Sequence, residues 1–74
     1  MNNISNEITV NINGELFKFQ GNVTILDILD KLNLANSKGI AVAVNMQIVS
    51  SKDWKEYIVS NNDKIIIIQA TQGG

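Results

Sequence analysis

The sequence predicts an α+β domain, in which one main helix packs on one face of a mixed sheet of about four to five strands. Three observations support this class. Residues 7–12 alternate between apolar and polar, and they are followed by Asn13-Gly14, a pair that favours a two-residue turn to a second, antiparallel strand. Apolar residues recur with helical spacing in 25–32. Residues 65–68 are consecutive isoleucines, which is typical of a strand buried in the middle of a sheet.

The first two strands are predicted at 7–12 and 15–20. With a two-residue turn between them, Val10 lies opposite Phe17, and directly paired residues share one face of a sheet. Ile8, Val10, Phe17 and Phe19 therefore face the core. Leu16 is expected on the opposite face.

The main helix has a predicted start and end. Thr24 is the expected N-cap, with Asp27 placed to complete a capping box. The apolar stripe that follows predicts a helix of about eight to ten residues across the sheet. Asn33 is a reasonable stop for it.

The second half of the chain is predicted to add two strands, a helical turn and a final strand. The strands are expected at 40–45, with valines on one face and alanines on the other, and at 48–49 as a short edge strand. Ser51 is the expected cap of the helical turn. Three larger apolar residues are expected to close the bottom of the core: Trp54, Tyr57 and Ile58. The final strand is predicted at 64–70.

The final strand must be central because it is apolar on both faces. Placed parallel to the first strand, it has the hairpin on one side and the third and fourth strands on the other, which is the β-grasp arrangement. We expect a single domain over 1–74, with a loose N-terminus at 1–6 and a flexible tail at 71–74 that ends in Gly73-Gly74.

The composition argues against several classes of function. The net charge is −1 and the lysines are scattered, so neither nucleic acid nor a membrane is an expected partner. The sequence has no cysteine and no histidine, which disfavours a transition-metal site and an independent enzyme. With no signal-peptide pattern at the N-terminus, a cytoplasmic protein is expected, and a monomer when it is free.

Three segments carry a resemblance to a known family. They are Thr24–Leu29, the run Ala41–Val49 followed by Trp54, and the stretch from Asp63 to Gly74. Together they resemble the thiamine-biosynthesis sulfur carrier (ThiS) family, within the ThiS/MoaD ubiquitin-like β-grasp group. The chain departs from the family where Ser50 replaces a common proline and where Asn61-Asn62 replaces a glycine-containing turn.

The resemblance implies a protein that carries sulfur and is acted on by partner enzymes. An adenylating, ThiF-like activating enzyme would use ATP on the carboxylate of Gly74, so this chain itself would bind no cofactor. A sulfurtransferase or cysteine desulfurase system would then replace AMP with sulfur, giving a thiocarboxylate. A ThiG-like thiazole synthase would accept that sulfur. Gly73 and Gly74 suit this role because residues without a Cβ can thread a narrow active site.

Other interpretations stay open at this point. The glycines could be a frayed end, and the chain could be a molybdopterin-synthase small-subunit-type carrier, a ubiquitin-like modifier of other proteins or a plain interaction module. Ile66 and Ile68 are expected on the open face of the sheet, where they form a partner-binding surface or are covered by Met46, Ile48 or the edge loop. Leu16, Thr71 and Gln72 would extend such a surface.

Overall fold

A computed structural model describes residues 6–70 of the chain. The described part contains one α-helix, a short 3-10 helix and strands, in this order: β1 (Glu7–Ile12), β2 (Glu15–Gln20), α1 (Ile25–Lys31), β3 (Ile40–Val44), β4 (Gln47–Val49), the 3-10 helix (Ser51–Asp53) and β5 (Lys64–Gln69). The strands form one five-stranded sheet in the order β2-β1-β5-β3-β4. The predicted mixed sheet with one main helix is therefore confirmed. No helix within residues 6–70 is both long enough and apolar enough to cross a membrane.

The hairpin has the predicted register, with Val10 opposite Phe17. In the centre of the sheet, β5 runs parallel to β1 and antiparallel to β3. Its isoleucines are buried on one face only, and Ile66 and Ile68 lie on the open face as predicted: Ile65 is 0% exposed, whereas Ile68 is 60% exposed. One face of β5 therefore belongs to the core and the other does not.

The core lies between α1 and one face of the sheet, where Ile28, Leu29 and Val42 are almost completely buried. The predicted capping box is present: Thr24 Oγ1 accepts a hydrogen bond from the Asp27 amide at 3.1 Å, and Asp27 Oδ2 accepts one from the Thr24 amide at 3.0 Å. At seven residues, α1 is shorter than the predicted eight to ten.

The helix ends early because Asn33 adopts a left-handed conformation with φ of 62°. The Leu34 amide then donates to the Leu29 carbonyl at 2.7 Å, which is the type of bond that closes a helix C-terminus. Asn33 thus acts as the predicted stop.

The prediction that Ile58 closes the core is wrong, because its side chain is 54% exposed. A bridge between Ile58 and Thr24 sets the orientation of this extended segment, and Val59, next along the chain, is buried instead. Trp54 and Tyr57 do pack against the core. The predicted cap at Ser51 is also wrong: the N-cap position belongs to Ser50, whose side chain makes no capping hydrogen bond.

The turn of the second hairpin lies one residue earlier than the predicted strand bounds imply. Asn45 and Met46 both have positive φ, at 49° and 74°. The tight turn moves the strand ends, so β3 ends at Val44 and β4 begins at Gln47. Likewise β5 ends at Gln69, one residue before the predicted end.

Two asparagine side chains hold β5 from its two sides. Asn13, in the β1–β2 turn, donates through Nδ2 to the Ile67 carbonyl at 3.1 Å and accepts the Ile67 amide through Oδ1 at 2.8 Å. Asn45, in the β3–β4 turn, accepts the Lys64 amide through Oδ1 at 2.9 Å. The turn asparagines thus extend the hydrogen bonding of the central strand beyond the residues that pair in the sheet.

Candidate functional site: an apolar strip and the start of the tail

The open face of the sheet carries a continuous band of apolar side chains, which we call the apolar strip: Ala41, Ala43, Ile48, Ile66 and Ile68. Pairing across β4, β3 and β5 places Ala43 between Ile48 and Ile66, and Ala41 beside Ile68. Their alignment follows directly from the alternation of side chains along each strand. The strip therefore belongs to the sheet itself and needs no loop to form it.

The two alanines make the strip concave. Because their side chains are short, they form the floor of a depression of about 230 Å³ between Ile48 on one side and Ile66 and Ile68 on the other. The expected alternative, in which Met46, Ile48 or the edge loop covers the β5 isoleucines, is wrong for the described residues, because Ile66 and Ile68 remain 41% and 60% exposed. An exposed apolar surface of this kind is typical of an interaction site.

Leu16 lies on the same face but apart from the apolar strip. It is 72% exposed and pairs with Asn11, which in turn lies beside Lys64 on β5. A polar row thus separates Leu16 from the strip. The structure brings Ile66 and Ile68 together and leaves Leu16 as an isolated apolar side chain.

The other predicted site residues, Thr71, Gln72, Gly73 and Gly74, lie outside the described residues. The structure does describe where the tail begins. The Ala70 amide donates to the Gly39 carbonyl at 2.9 Å, immediately after Gln69 pairs with Ile40. Ala70 is therefore held against the start of β3, the strand that carries Ala41 and Ala43 of the apolar strip.

Gly39 allows this close contact, and the sequence reasoning missed it. Its φ is 76°, and a Cβ at this position would lie 3.3 Å from both Cβ and the carbonyl oxygen of Ala70. The only signal in the sequence is a glycine directly before a predicted strand. Such a glycine is also common in ordinary loops, so it does not identify the contact.

Replacing Gly39 by alanine should destabilise the protein by more than about 1 kcal/mol, since it combines an unfavourable backbone conformation with crowding against Ala70. Gly14→Ala is the matched control: φ is 88°, but no atom of residues 6–70 lies within 4 Å of the added Cβ. Comparing the two variants by urea denaturation separates the cost of the backbone conformation from the cost of crowding against Ala70. Equal losses of stability would contradict a specific role for the contact between Gly39 and Ala70.

Comparison with known proteins identifies the family. The family model described as "ThiS family" matches residues 10–74. The chain belongs to the ThiS family. Among ThiS-family relatives, "Sulfur carrier protein ThiS" of Escherichia coli K12 is 35% identical over 51 residues, which cover 69% of this chain and 76% of that protein. "Uncharacterized protein ycf40" of Trieres chinensis is 32% identical over 74 residues, the full length of both chains.

Solved structures show the same ThiS fold. The crystal structure of the thiamine biosynthesis protein ThiS from Geobacter metallireducens superposes with a TM-score of 0.74 at 17% identity, covering 90% of this chain and all of that one. An NMR structure of a thiamine biosynthesis protein from the same organism gives 0.72, covering 90% and 88%. Family and fold together support a ThiS-type sulfur carrier with a ubiquitin-like β-grasp fold.

Proposed function

We propose that this ThiS-family chain is the sulfur carrier protein of thiazole formation in thiamine biosynthesis, and that the carboxylate of Gly74 carries the sulfur. The observation that supports this most directly is the family match, which extends through Gly73-Gly74. The E. coli relative named as a sulfur carrier supports the same function. The chain is then a protein substrate, and the catalytic groups belong to its partners.

The proposed chemistry needs only a terminal carboxylate from this chain. In the active site of an activating enzyme, an oxygen of the Gly74 carboxylate attacks the α-phosphate of ATP and pyrophosphate leaves. Sulfide, or the terminal sulfur of a persulfide on a sulfurtransferase or cysteine desulfurase system, then attacks the acyl carbon and AMP leaves. Sulfide gives the thiocarboxylate directly; a persulfide gives an acyl disulfide, whose S–S bond a second thiol of the donor system breaks by forming a disulfide with the donor cysteine, and the thiocarboxylate is released. The terminal glycine helps in two ways: it fits a narrow channel, and it has no stereocentre next to the activated carbonyl.

Sulfur transfer to a thiazole synthase would complete the cycle. In this step the thiocarboxylate sulfur forms a bond to an electrophilic carbon of the acceptor. Hydrolysis of the acyl–sulfur bond then returns the Gly74 carboxylate. The carrier is unchanged overall, so one chain can serve many cycles.

The apolar strip would contribute the binding surface for these partners. The four residues after Ala70 can span at most roughly 14 Å when extended. An active site that receives Gly74 must therefore lie close to the end of β5, which also carries Ile66 and Ile68. A partner that binds the tail is thus expected to contact the strip, and burial of each isoleucine is worth about 1.5–3 kcal/mol before the costs of association.

Intact-mass measurement of the protein from thiamine-starved cells tests the proposal. We expect a species that is heavier by the difference between one sulfur and one oxygen atom, and that is absent when Gly74 is deleted. The same measurement shows whether Gly74 is the last residue of the chain in the cell. Cells supplied with thiamine provide the control for pathway dependence.

Two results would overturn the proposal. One is an unmodified mass under every condition, combined with no adenylate formed by a co-expressed activating enzyme. The other is an unchanged amount of the heavier species after Gly74 deletion. Recovery of the chain in isopeptide linkage to lysines of other proteins would instead favour a ubiquitin-like modifier.

A further inference from the structure

The β1–β2 turn contains a reactive dipeptide that the proposed function does not use. Asn13 is the only asparagine in the sequence that is followed by glycine. The backbone nitrogen after an asparagine can attack the side-chain amide carbon. Attack is least hindered when the next residue is glycine, because glycine has no Cβ in the way. Asn13-Gly14 is therefore the position in this chain that is most prone to spontaneous deamidation.

The fold holds both reacting groups in other interactions. The Gly14 amide, which would supply the attacking nitrogen, donates to Asn11 Oδ1 at 2.8 Å. The Asn13 side chain, which would be attacked, is held by two hydrogen bonds to the backbone of Ile67, at 2.8 and 3.1 Å. The hydrogen bond of the Gly14 amide and those of the Asn13 side chain must break before the Gly14 nitrogen can reach Cγ of Asn13.

We infer that Asn13 is a site of spontaneous deamidation. In the folded protein Asn11 and the backbone of Ile67 protect it, and it becomes reactive when the turn separates from β5. Asn13 is exposed, so water reaches it without further rearrangement. The modification rate then measures how often the turn opens. Local openings of this kind occur in folded proteins without global unfolding.

The reaction needs only water as a co-reactant. The Gly14 nitrogen, having lost its proton to solvent base, bonds to Cγ of Asn13, and the Cγ–Nδ2 bond breaks. Ammonia leaves with a proton regained from solvent, and a five-membered succinimide ring remains. Water then adds to either ring carbonyl and opens the ring, which gives aspartate or isoaspartate at position 13.

Either product would weaken the attachment of the turn to β5, which the Asn13 backbone amide, bonded to the Ile65 carbonyl at 2.9 Å, would then hold with fewer side-chain hydrogen bonds. Aspartate lacks the Nδ2 donor and places an acceptor oxygen against the Ile67 carbonyl, where a hydrogen bond was made before. Isoaspartate inserts an extra methylene into the backbone of a two-residue turn. Ile67 lies between the two β5 members of the apolar strip, so the modification loosens the strand that carries them.

Peptide mapping of the full chain during incubation at mildly alkaline pH tests the inference. The reference is a synthetic peptide covering residues 9–18, which lacks β5. We expect conversion of Asn13 to be at least about tenfold slower in the folded protein than in the peptide, the ratio that corresponds to about 1.4 kcal/mol of opening. A peptide that does not convert, or equal rates in peptide and protein, would overturn the inference.

Matched variants test the role of Asn11. Asn11→Ala removes the acceptor for the Gly14 amide and should speed conversion by roughly two- to tenfold. Asn11→Asp keeps an acceptor oxygen and should convert no faster than the unchanged protein. Conversion at Asn36 serves as an internal control that neither variant should alter. If Asn11→Ala converts at the unchanged rate, the inference is wrong.

Hydrogen exchange gives a readout that does not depend on the chemistry at Asn13. Exchange at the Ile67 amide should be faster in the converted protein, while the Val42 amide in β3 stays as protected as before. This comparison also shows that the domain remains folded. Unchanged protection at Ile67 after conversion would contradict the weakened attachment of the turn to β5.

Discussion

The double substitution Ile66→Asp and Ile68→Asp should abolish sulfur loading and leave the protein folded. Both side chains are exposed, at 41% and 60%, so the free protein loses little packing. In a complex the loss is larger. Full burial of an exposed isoleucine is worth about 1.5–3 kcal/mol, and the exposed parts of the two side chains together amount to about one isoleucine, which corresponds to roughly a 10- to 10²-fold change in affinity. Burying two carboxylates in their place adds a further desolvation cost. Binding to the activating enzyme, measured by calorimetry, and intact mass after loading would report both effects.

The matched control for this prediction is Gln69→Asp. It adds one negative charge to the same strand, half of what the double variant adds, but Gln69 follows the alternation of Ile65 and Ile67 and so lies on the other face. This variant should bind and load like the unchanged protein. Strand propensity alone should cost up to about 1 kcal/mol for each aspartate, which urea denaturation measures. Full loading of the double variant would show that partners do not use the apolar strip.

The second large effect is expected on the stability of the protein, when a buried isoleucine of β5 is replaced. Ile65→Ala should destabilise the protein by about 2–5 kcal/mol, because Ile65 is 0% exposed and its loss leaves a cavity in the core. A domain of this size has a total stability of roughly 4–11 kcal/mol, so the substitution removes a large fraction of it and should lower the melting temperature by roughly 8–40 °C. Thermal unfolding followed by circular dichroism measures the change.

Ile68→Ala is the matched control because it makes the same chemical change three residues along the strand. Its side chain is 60% exposed, so it should cost less than about 1 kcal/mol. Similar losses from the two substitutions would show that the open face is also packed, either by the chain itself or by a second copy. A concentration-dependent melting temperature would identify the second copy.

The fold was predictable wherever short-range patterns determine it. Asn13-Gly14 sets the hairpin register, and the alternation of Ile8, Val10 and Ile12 then assigns the faces without knowledge of the rest of the chain. The isoleucine run identifies the central strand because a strand with two apolar faces is poorly suited to an edge. The helix start was equally local, since Thr24 and Asp27 satisfy each other.

The missed features depend on contacts between distant segments. Ile58 and Val59 lie in an extended stretch with no regular alternation, and the bridge to Thr24 decides which of them is buried. The contact of Gly39 with Ala70 and that of Asn13 with Ile67 join residues far apart in sequence, so no periodicity signals them. For the site, the sequence predicted which β5 isoleucines face outward, and the concave shape between them and Ile48 needed the assembled sheet.

The central position of β5 also has a consequence for how the protein folds. Without β5, the sheet would be divided into the β1–β2 and β3–β4 hairpins, and these do not pair with each other. Two-stranded hairpins are marginally stable in water, so neither is expected to persist until β5 docks between them. Because β5 follows the other strands in the chain, a nascent polypeptide cannot complete the sheet until β5 has been synthesised. Folding is therefore expected to be all-or-none. The strand that leads to the proposed sulfur-carrying end is thus the one that completes folding. A partner that requires the ordered apolar strip therefore binds only fully folded molecules.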